Sequence, residues 1–309
     1  MMADTRRQWI TFIAELQDRI TSSLENEDGR AAFHEDSWVR EEGGGGRTRI
    51  MVGGAIFEKG GVNMSTVFGA LTEGLRTQLK LDDHYPATGW FACGLSLVLH
   101  PVNPHVPTVH CNYRMFELEN AAGEALDRWF GGGTDLTPYY LVPEDVQHFH
   151  QTYKSICDRY DPSWYPLFKE ACDNYFVNWH RQAERRGVGG IFYDYQRPDH
   201  NHSLEHWLAF SRDCGEGFLD AYVPLVQRNK YQPFTDQEKY WQEIRRGRYV
   251  EFNLVHDRGT LFGLKTQGRI ESILMSLPPV VRFDYNFVPA PDSPEYRLWQ
   301  TCLHPQTWA

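Results

Sequence analysis

The segment 108–116 carries the first pattern of residues that could do chemistry. Side chains of a β-strand alternate between two faces, so a strand here would place His110, Asn112 and Arg114 in one row, about 7 Å apart. The other face would carry Val109, Cys111, Tyr113 and Met115. A proton donor, an amide and a cation in one row suit an acidic substrate. A solvated sheet face would show the same alternation, so both interpretations stay open.

The preceding segment, 92–100, also has strand character and leads into a proline-rich connection at 101–107. Within it, Ser96 and His100 share one face. Strands that follow one another through short connections favour antiparallel pairing.

A second candidate is the charged segment 245–259, in which Asp257 and Arg258 follow a predicted strand at 248–254. Loops at strand ends commonly hold catalytic groups on a rigid scaffold. An ordinary ion pair at a turn would give the same sequence, and this alternative stays open.

The third candidate comprises Gln267, Gly268 and Arg269. These residues precede the apolar stretch 270–277, as in a loop that leads into a helix. Backbone N–H groups and a guanidinium at such a position would bind a carboxylate. A plain solvated turn is the alternative.

The glycine-rich segment 131–138 is predicted to be a turn that could place Asp135 close to a ligand. It lacks the spacing of phosphate-binding and dinucleotide-binding loops. The chain has no Gly-x-Ser-x-Gly elbow and no His-Glu-x-x-His pattern. Cations and carboxylates are plentiful, while known cofactor fingerprints are missing. The pattern is compatible with an acidic organic substrate whose own electrons take part in the redox step.

The composition limits which binding partners and which cellular compartment we expect for this protein. The formal net charge is −10, which disfavours nucleic acid as a partner. Six scattered cysteines without a Cys-x-x-Cys pair argue against a disulfide framework or a zinc knuckle and suit a reducing compartment. No secretory signal and no run of about 20 apolar residues is visible, so we expect a cytoplasmic protein without a membrane span.

Hydrophobic periodicity predicts the elements that position these residues. An N-terminal helical segment, 1–30, carries apolar residues at helical spacing, namely Trp9, Ile13, Leu16 and Ile20. Further helices are predicted at 62–79, from 143, at 163–186, from 203 and from a capping box at 235. Strands are predicted at 49–57, 92–100, 108–116, 191–195, 248–254, 260–264 and 280–285. Helices cluster instead of alternating with strands, which predicts an α+β fold, a single domain over 1–309 with a large antiparallel sheet flanked by helices on both faces.

Several blocks in order resemble the aerobic coproporphyrinogen III oxidase family, and the resemblance extends from Phe33 to Trp308. The matching blocks are Gly43–Arg47, Glu58–Asn63, His100–Phe116, Trp129–Pro138, Glu184–Asp194 and Arg245–Leu277. The resemblance implies an antiparallel sheet between helices and a homodimer formed partly through the C-terminal region. It also implies a reaction in which two propionates of coproporphyrinogen III become vinyl groups, with dioxygen as co-substrate and no cofactor.

The resemblance also implies roles for particular residues. His110 matches the residue described as the general acid, and Asp257, with Arg258 beside it, matches the acidic group proposed to engage the pyrrole N–H groups. Substrate-contact positions are matched by Ser96, Asn112, Tyr113, Arg114, Gln267, Gly268 and Arg269. Asp135 and Arg114 match positions where changes impair members of the family.

The chain departs from the family pattern at Tyr195, His256 and Gln267. Bacterial relatives have been assigned a metal on four histidines, which match His100, His110, His150 and His180. We predict no metal site, because the proposed chemistry does not need a Lewis acid. Two other functions remain: a tetrapyrrole carrier without catalysis, and a non-haem iron oxygenase that uses the histidines.

Overall fold

The computed structural model describes residues 2–265 and 268–309. Its helices are α1 (Met2–Asp28), α2 (Glu73–Leu79), α3 (Pro143–Asp158), α4 (Trp164–Tyr175), α5 (Leu204–Asn229), α6 (Asp236–Val255), α7 (Arg258–Lys265), α8 (Ile270–Leu274) and α9 (Pro294–Leu303). Its strands are β1 (His34–Val39), β2 (Gly44–Val52), β3 (Phe57–Ala70), β4 (Gly89–Pro101), β5 (Thr108–Glu119), β6 (Ala125–Thr137), β7 (Val177–Asn178), β8 (Glu184–Arg185) and β9 (Gly189–Gln196).

Within the described residues, seven strands form one sheet in the order β1-β2-β3-β4-β5-β6-β9. Every neighbouring pair in it is antiparallel. Strands β7 and β8 pair separately as a short antiparallel ribbon. The predicted α+β class and the large antiparallel sheet are therefore confirmed.

Strand β5 shows the predicted alternation of side chains. One of its faces is fully buried and carries Val109, Cys111, Tyr113 and Met115. The intervening residues His110, Asn112 and Arg114 are partly exposed on the opposite face. Residues directly opposite each other on paired strands share a face, so the register of β5 assigns its neighbours on β4 and β6 as well.

Helices α1, α3 and α5 cover the buried face of the sheet. Trp9 Nε1 of α1 donates to the carbonyl of Cys93 on β4 at 2.9 Å. The hydroxyl of Tyr113 on β5 donates to the carbonyl of Cys214 on α5 at 2.9 Å and lies 3.3 Å from the hydroxyl of Tyr153 on α3. The predicted apolar stripe of α1 is confirmed, because its four residues lie in this core.

The opposite face is covered only in part, by the end of α4, by α6 and by the chain that follows α7. Asn63 Nδ2 of β3 donates to the carbonyl of Ser272 on α8 at 2.7 Å. Lys59 Nζ donates to the carbonyl of Leu277 at 2.8 Å. Helices thus lie on both faces of the sheet, as predicted. No helix in the described ranges is long and apolar enough to cross a bilayer.

Two predicted helices were wrong over part of their length. Residues 62–70 belong to strand β3, and only the short α2 follows. Cross-strand pairing with both β2 and β4 outweighs the helical periodicity there. The helix predicted at 163–186 ends at Tyr175, after which the chain forms β7, a 3-10 turn and β8. The starts predicted at 143, 203 and 235 are confirmed, including the capping box of Thr235.

Three predicted strands were also wrong. Residues 248–254 belong to α6, in which the buried Arg245, Tyr249 and Phe252 follow helical spacing. Residues 260–264 lie in α7. The segment 280–285 has no regular structure, and its Arg282 N–H bonds instead to the carbonyl of Glu243 on α6 at 3.0 Å.

The glycine-rich segment 131–138 is not a turn, because all but its last residue lie in strand β6. Its glycines let neighbouring side chains pass directly over the backbone. A Cβ at position 131 would lie 2.7 Å from Asp194 Oδ1, and one at position 132 would meet the rings of Tyr193 and Tyr113. The six cysteines are buried and free, so the absence of disulfides among them is confirmed. The cytoplasmic location inferred from them stays a prediction.

Candidate active site

The partly exposed face of the sheet, which we call the polar face, carries hydrophilic residues on consecutive strands. Asn63, Ser96 and Asn112 lie directly opposite one another on β3, β4 and β5. One pair further along β5, His110 lies opposite Asp135 of β6. The structure therefore brings Ser96 and Asn112 together on one face.

His110 rests on a buried ion pair. Its Nδ1 donates to Asp135 Oδ1 at 2.8 Å, and Arg186 Nη2 donates to both oxygens of Asp135 at 2.8 and 2.9 Å. Burial raises the pKa of the Asp135 carboxyl, but the charge of Arg186 and the bond from His110 outweigh it, so this pKa lies below its ordinary value. The Nε2 atom of His110 has no hydrogen-bond partner among the described residues. His110 is thus held in one orientation with Nε2 available to a ligand.

Arg186 is buried among groups that compensate its charge. Its guanidinium lies over the rings of Phe176, Tyr249 and Phe252, with 4.1, 4.6 and 4.9 Å to their centroids. Arg186 Nη1 donates to Asn253 Oδ1 at 2.9 Å. Sequence reasoning missed this residue, since it fell inside a predicted helix. The prediction placed the end of that helix at the glycines 187, 189 and 190, whereas α4 ends at Tyr175.

Two candidate arginines meet at one carboxylate that sequence reasoning did not single out. Arg114 Nη2 lies 2.8 Å from Asp194 Oδ1, and Arg258 Nη2 lies 3.8 Å from Asp194 Oδ2. Arg114 Nη1 also donates to Asn112 Oδ1 at 2.8 Å. Strand β9 supplies Asp194, and Gly131 beneath it leaves room for the Arg114 pair. Both cations therefore stand at one end of the polar face.

Asp257 begins helix α7 instead of following a strand. Its Oδ2 accepts from the Thr260 N–H at 2.7 Å, as an N-cap does, and its Oδ1 accepts from the Tyr175 hydroxyl at 2.8 Å. Burial and the charge of Asp257 raise the pKa of Tyr175 to about 12, so this hydroxyl remains a donor at neutral pH. The Arg258 guanidinium lies over the Tyr175 ring at 4.8 Å. Asp257 and Arg258 are thus positioned by the same tyrosine.

Arg269 lies apart from this group. Its guanidinium pairs with Asp36 on β1 and donates to Ser272 Oγ at 3.1 Å. Asp36 lies on β1, whereas Asp194, the partner of Arg114 and Arg258, lies on β9. These two strands are opposite edges of the sheet, six strand spacings or roughly 29 Å apart. The structure therefore does not bring Arg269 together with Arg114 and Arg258. The Gly268 N–H donates to the Gly263 carbonyl at 2.8 Å, and Gln267 lies outside the described residues.

Tyr113 and Asp135, which were predicted to lie at the substrate, are both buried. Tyr113 is fully buried on the core face, where its hydroxyl bonds to Thr134 and to the Cys214 carbonyl. Its side chain points away from the polar face, because odd positions of β5 face the core. Asp135 lies beside His110 on the polar face but is buried, with both oxygens occupied. In this arrangement Asp135 holds His110 in position, and Tyr113 faces the core.

The four histidines with metal-binding counterparts in bacterial relatives do not converge. The ring nitrogens of His100 bond to Thr108 and to the Ser276 carbonyl, and those of His150 bond to Tyr165 and to the Val188 carbonyl. His180 instead bonds to His256 and Glu251, and His110 to Asp135. Across residues 2–265 and 268–309, no group of three or more His, Cys, Asp or Glu side chains is placed to hold a metal ion. These histidines do not fit a shared metal site in this arrangement.

We predict that Asp135→Asn destabilises the protein by about 3 to 5 kcal/mol, because Arg186 would remain buried without a counter-charge. Turnover should also fall, since His110 loses its fixed partner. The folded-state pKa of Asp135 is depressed, so the stabilisation is present above pH of about 4 and is lost as pH falls through the folded value. Chemical denaturation of both proteins at pH 7 measures the difference.

The matched control is Asp127→Asn, which removes the carboxylate from a partly exposed pair with Arg197. Its expected cost is about 0 to 1 kcal/mol. Equal stability losses in the two variants would contradict the assignment of Asp135.

The comparisons with known proteins agree with the resemblance noted in the sequence. A family model described as coproporphyrinogen III oxidase matches residues 8–308. A protein of Glycine max described as oxygen-dependent coproporphyrinogen-III oxidase, chloroplastic, is 47% identical over 309 residues, which cover 98% of this chain and 79% of the relative. A protein of Nicotiana tabacum with the same description is 49% identical over 302 residues, covering 95% and 75%. The chain therefore belongs to the coproporphyrinogen III oxidase family.

Proposed function

We propose that this chain catalyses the oxygen-dependent oxidative decarboxylation of coproporphyrinogen III to protoporphyrinogen IX. The observation that carries the proposal is the polar face, on which an oriented imidazole, two guanidiniums and a capped carboxylate stand near one end of the sheet. Relatives that are 47% and 49% identical over the aligned residues are named for this activity.

The two guanidiniums suit the propionate groups of the substrate. Arg114 is partly exposed and Arg258 is exposed, so each can donate to a carboxylate from solvent. Guanidinium N–H groups bind carboxylates with paired hydrogen bonds, which fixes both distance and orientation. Ser96 and Asn112 add neutral hydrogen-bonding groups beside them. This arrangement would hold one propionate at a defined place on the face.

Each decarboxylation converts –CH2–CH2–COO⁻ into –CH=CH2. The carboxylate leaves as carbon dioxide, and the methylene carbon attached to the pyrrole ring loses a hydrogen with its electron pair. Dioxygen takes up these two electrons, that hydrogen and one further proton and becomes hydrogen peroxide. We assign the delivery of the proton to His110, whose Nε2 is available while Nδ1 is held by Asp135.

Asp257 would act on the macrocycle. Each of its oxygens accepts one hydrogen bond from the protein and retains capacity for a second. A carboxylate that accepts pyrrole N–H bonds increases the electron density of the ring and favours its reaction with oxygen. Fixing the ring, carboxylate and oxygen in one geometry contributes to lowering the barrier.

We predict that Asp257→Asn lowers turnover by about 100-fold or more, because the amide lacks the negative charge. Asparagine caps helices as well as aspartate does, so this variant should keep α7 and its stability. Asp257→Ala removes charge and cap together and should cost about 1 kcal/mol in addition. The assay is formation of vinyl-bearing product from coproporphyrinogen III in air.

Wild-type turnover in the asparagine variant would remove the charge of Asp257 from the mechanism. A wild-type protein that binds the tetrapyrrole and never forms a vinyl product would support the carrier function instead.

We propose that the reaction uses no resident metal or cofactor. The porphyrinogen is electron-rich and supplies the electrons itself, and the candidate histidines are engaged separately. Exhaustive treatment with a chelator should therefore leave turnover unchanged. Loss of turnover that is restored by iron or manganese would overturn this proposal and favour the oxygenase function.

We propose that the chain assembles as a homodimer partly through its C-terminal region. Several large apolar side chains stand exposed in the segment between α8 and α9, namely Val280, Phe283, Tyr285 and Val288. Burying such a group against a second copy would remove apolar surface from water. Sedimentation of the wild type should give twice the chain mass, and Phe283→Asp should shift it toward the monomer. A wild type that sediments as a monomer would contradict the proposal.

A further inference from the structure

Asp194 occupies the guanidinium groups that a substrate carboxylate needs. Its Oδ1 takes Arg114 Nη2 at 2.8 Å, and its Oδ2 faces Arg258 Nη2 at 3.8 Å. Neither arginine has another carboxylate partner among the described residues. The three groups together carry one net positive charge, where two arginines alone would carry two. Asp194 thus stands in the place of a bound propionate.

The position of this carboxylate is built into strand β9. The register between β6 and β9 shifts at this point, between Phe130 and Gly132. Tyr195, which follows Asp194, has φ of 55°, in the left-handed region that non-glycine residues rarely adopt. The Tyr195 N–H donates to Asp194 Oδ1 at 2.9 Å. The strained bulge therefore aims the carboxylate at Arg114.

The contact is one that a ligand can displace. The side chains of Asp194, Arg114 and Arg258 are 18%, 34% and 62% exposed, so water reaches all three. Ion pairs with this degree of exposure are weak, because solvent competes for both partners. By contrast, the Asp135–Arg186 pair is 2% exposed at both partners and stays fixed.

We propose that Asp194 promotes product release by competing with ligand carboxylates for Arg114 and Arg258. This inference rests on the proposed function. A competitor built into the site lowers the affinity of every carboxylate ligand for these two arginines by a similar factor. The product of two decarboxylations keeps two carboxylates, so the competition shortens its residence at the site.

The test is binding of two stable porphyrins, coproporphyrin III with four carboxylates and protoporphyrin IX with two, measured by quenching of tryptophan fluorescence. For Asp194→Asn we expect both porphyrins to bind about tenfold more tightly, because both are freed from the same competitor. The ratio of the two affinities should therefore stay close to that of the wild type. In stopped-flow assays the first turnover should be unchanged, while steady-state turnover should fall because product leaves more slowly.

Asp213→Asn is the matched control, since it frees Arg159 from a partly exposed pair between α5 and the end of α3, on the other side of the sheet, and should leave both affinities unchanged. Asp194→Ala provides a second variant without the carboxylate. If the wild type binds porphyrins and turns over but both Asp194 variants bind them no more tightly, the role in product release is wrong and the proposed function stands. A wild type that neither binds porphyrins nor forms product would overturn both proposals.

Discussion

The ion pair between Asp135 and Arg186 joins strand β6 to the chain that leaves β8, at the buried end of the polar face. Removing two charges from water is costly, and here the cost is offset by a bidentate geometry, three aromatic rings and an amide oxygen. The amide belongs to Asn253 of α6, so the pair fixes that helix against the sheet as well. His110 takes its orientation from the same carboxylate.

The end of α6 connects this ion pair to Asp257 and Arg258 of the candidate active site. Asn253 is held by Arg186, and four residues later Asp257 starts α7. Tyr175, at the end of α4, bonds to Asp257 and lies under Arg258. A rigid, buried network thus supports groups that are themselves partly exposed. This division suits a site that must bind a large ligand from solvent without losing its geometry.

The sequence was sufficient to predict structure where the pattern depends only on neighbouring residues. Alternation along β5 correctly separated His110, Asn112 and Arg114 from Tyr113, because the two-residue period depends only on the strand. The capping box at Thr235 likewise located the start of α6. The same helix was predicted as a strand at 248–254, since a short run with apolar residues fits both periods and only packing against His100 and Arg186 decides between them.

Contacts between distant segments could not be predicted in this way. Asp194 meets Arg114 through the pairing of β9 with β6, strands separated in sequence by α3 and α4. Arg186 reaches Asp135 only because the chain returns after β8. Family resemblance indicated Asp135 and Arg114 without Arg186 or Asp194. It gave Tyr113 as a substrate contact, and the glycine-rich segment suggested that Asp135 lies close to a ligand. The burial of Asp135 and Tyr113 distinguishes them from residues that can contact a substrate, and burial can be known only from the folded chain.

Strand β5 packs one set of side chains into the core and presents the other set to the candidate active site. This alternation limits where insertions and deletions can occur. Loss of a single residue between 109 and 114 would exchange the two sets, sending an arginine into the packed interior and an aromatic ring toward solvent. Such a change would abolish folding and chemistry together. Length variation in this protein should therefore be confined to the exposed connections, such as the turn around Gly123 between β5 and β6.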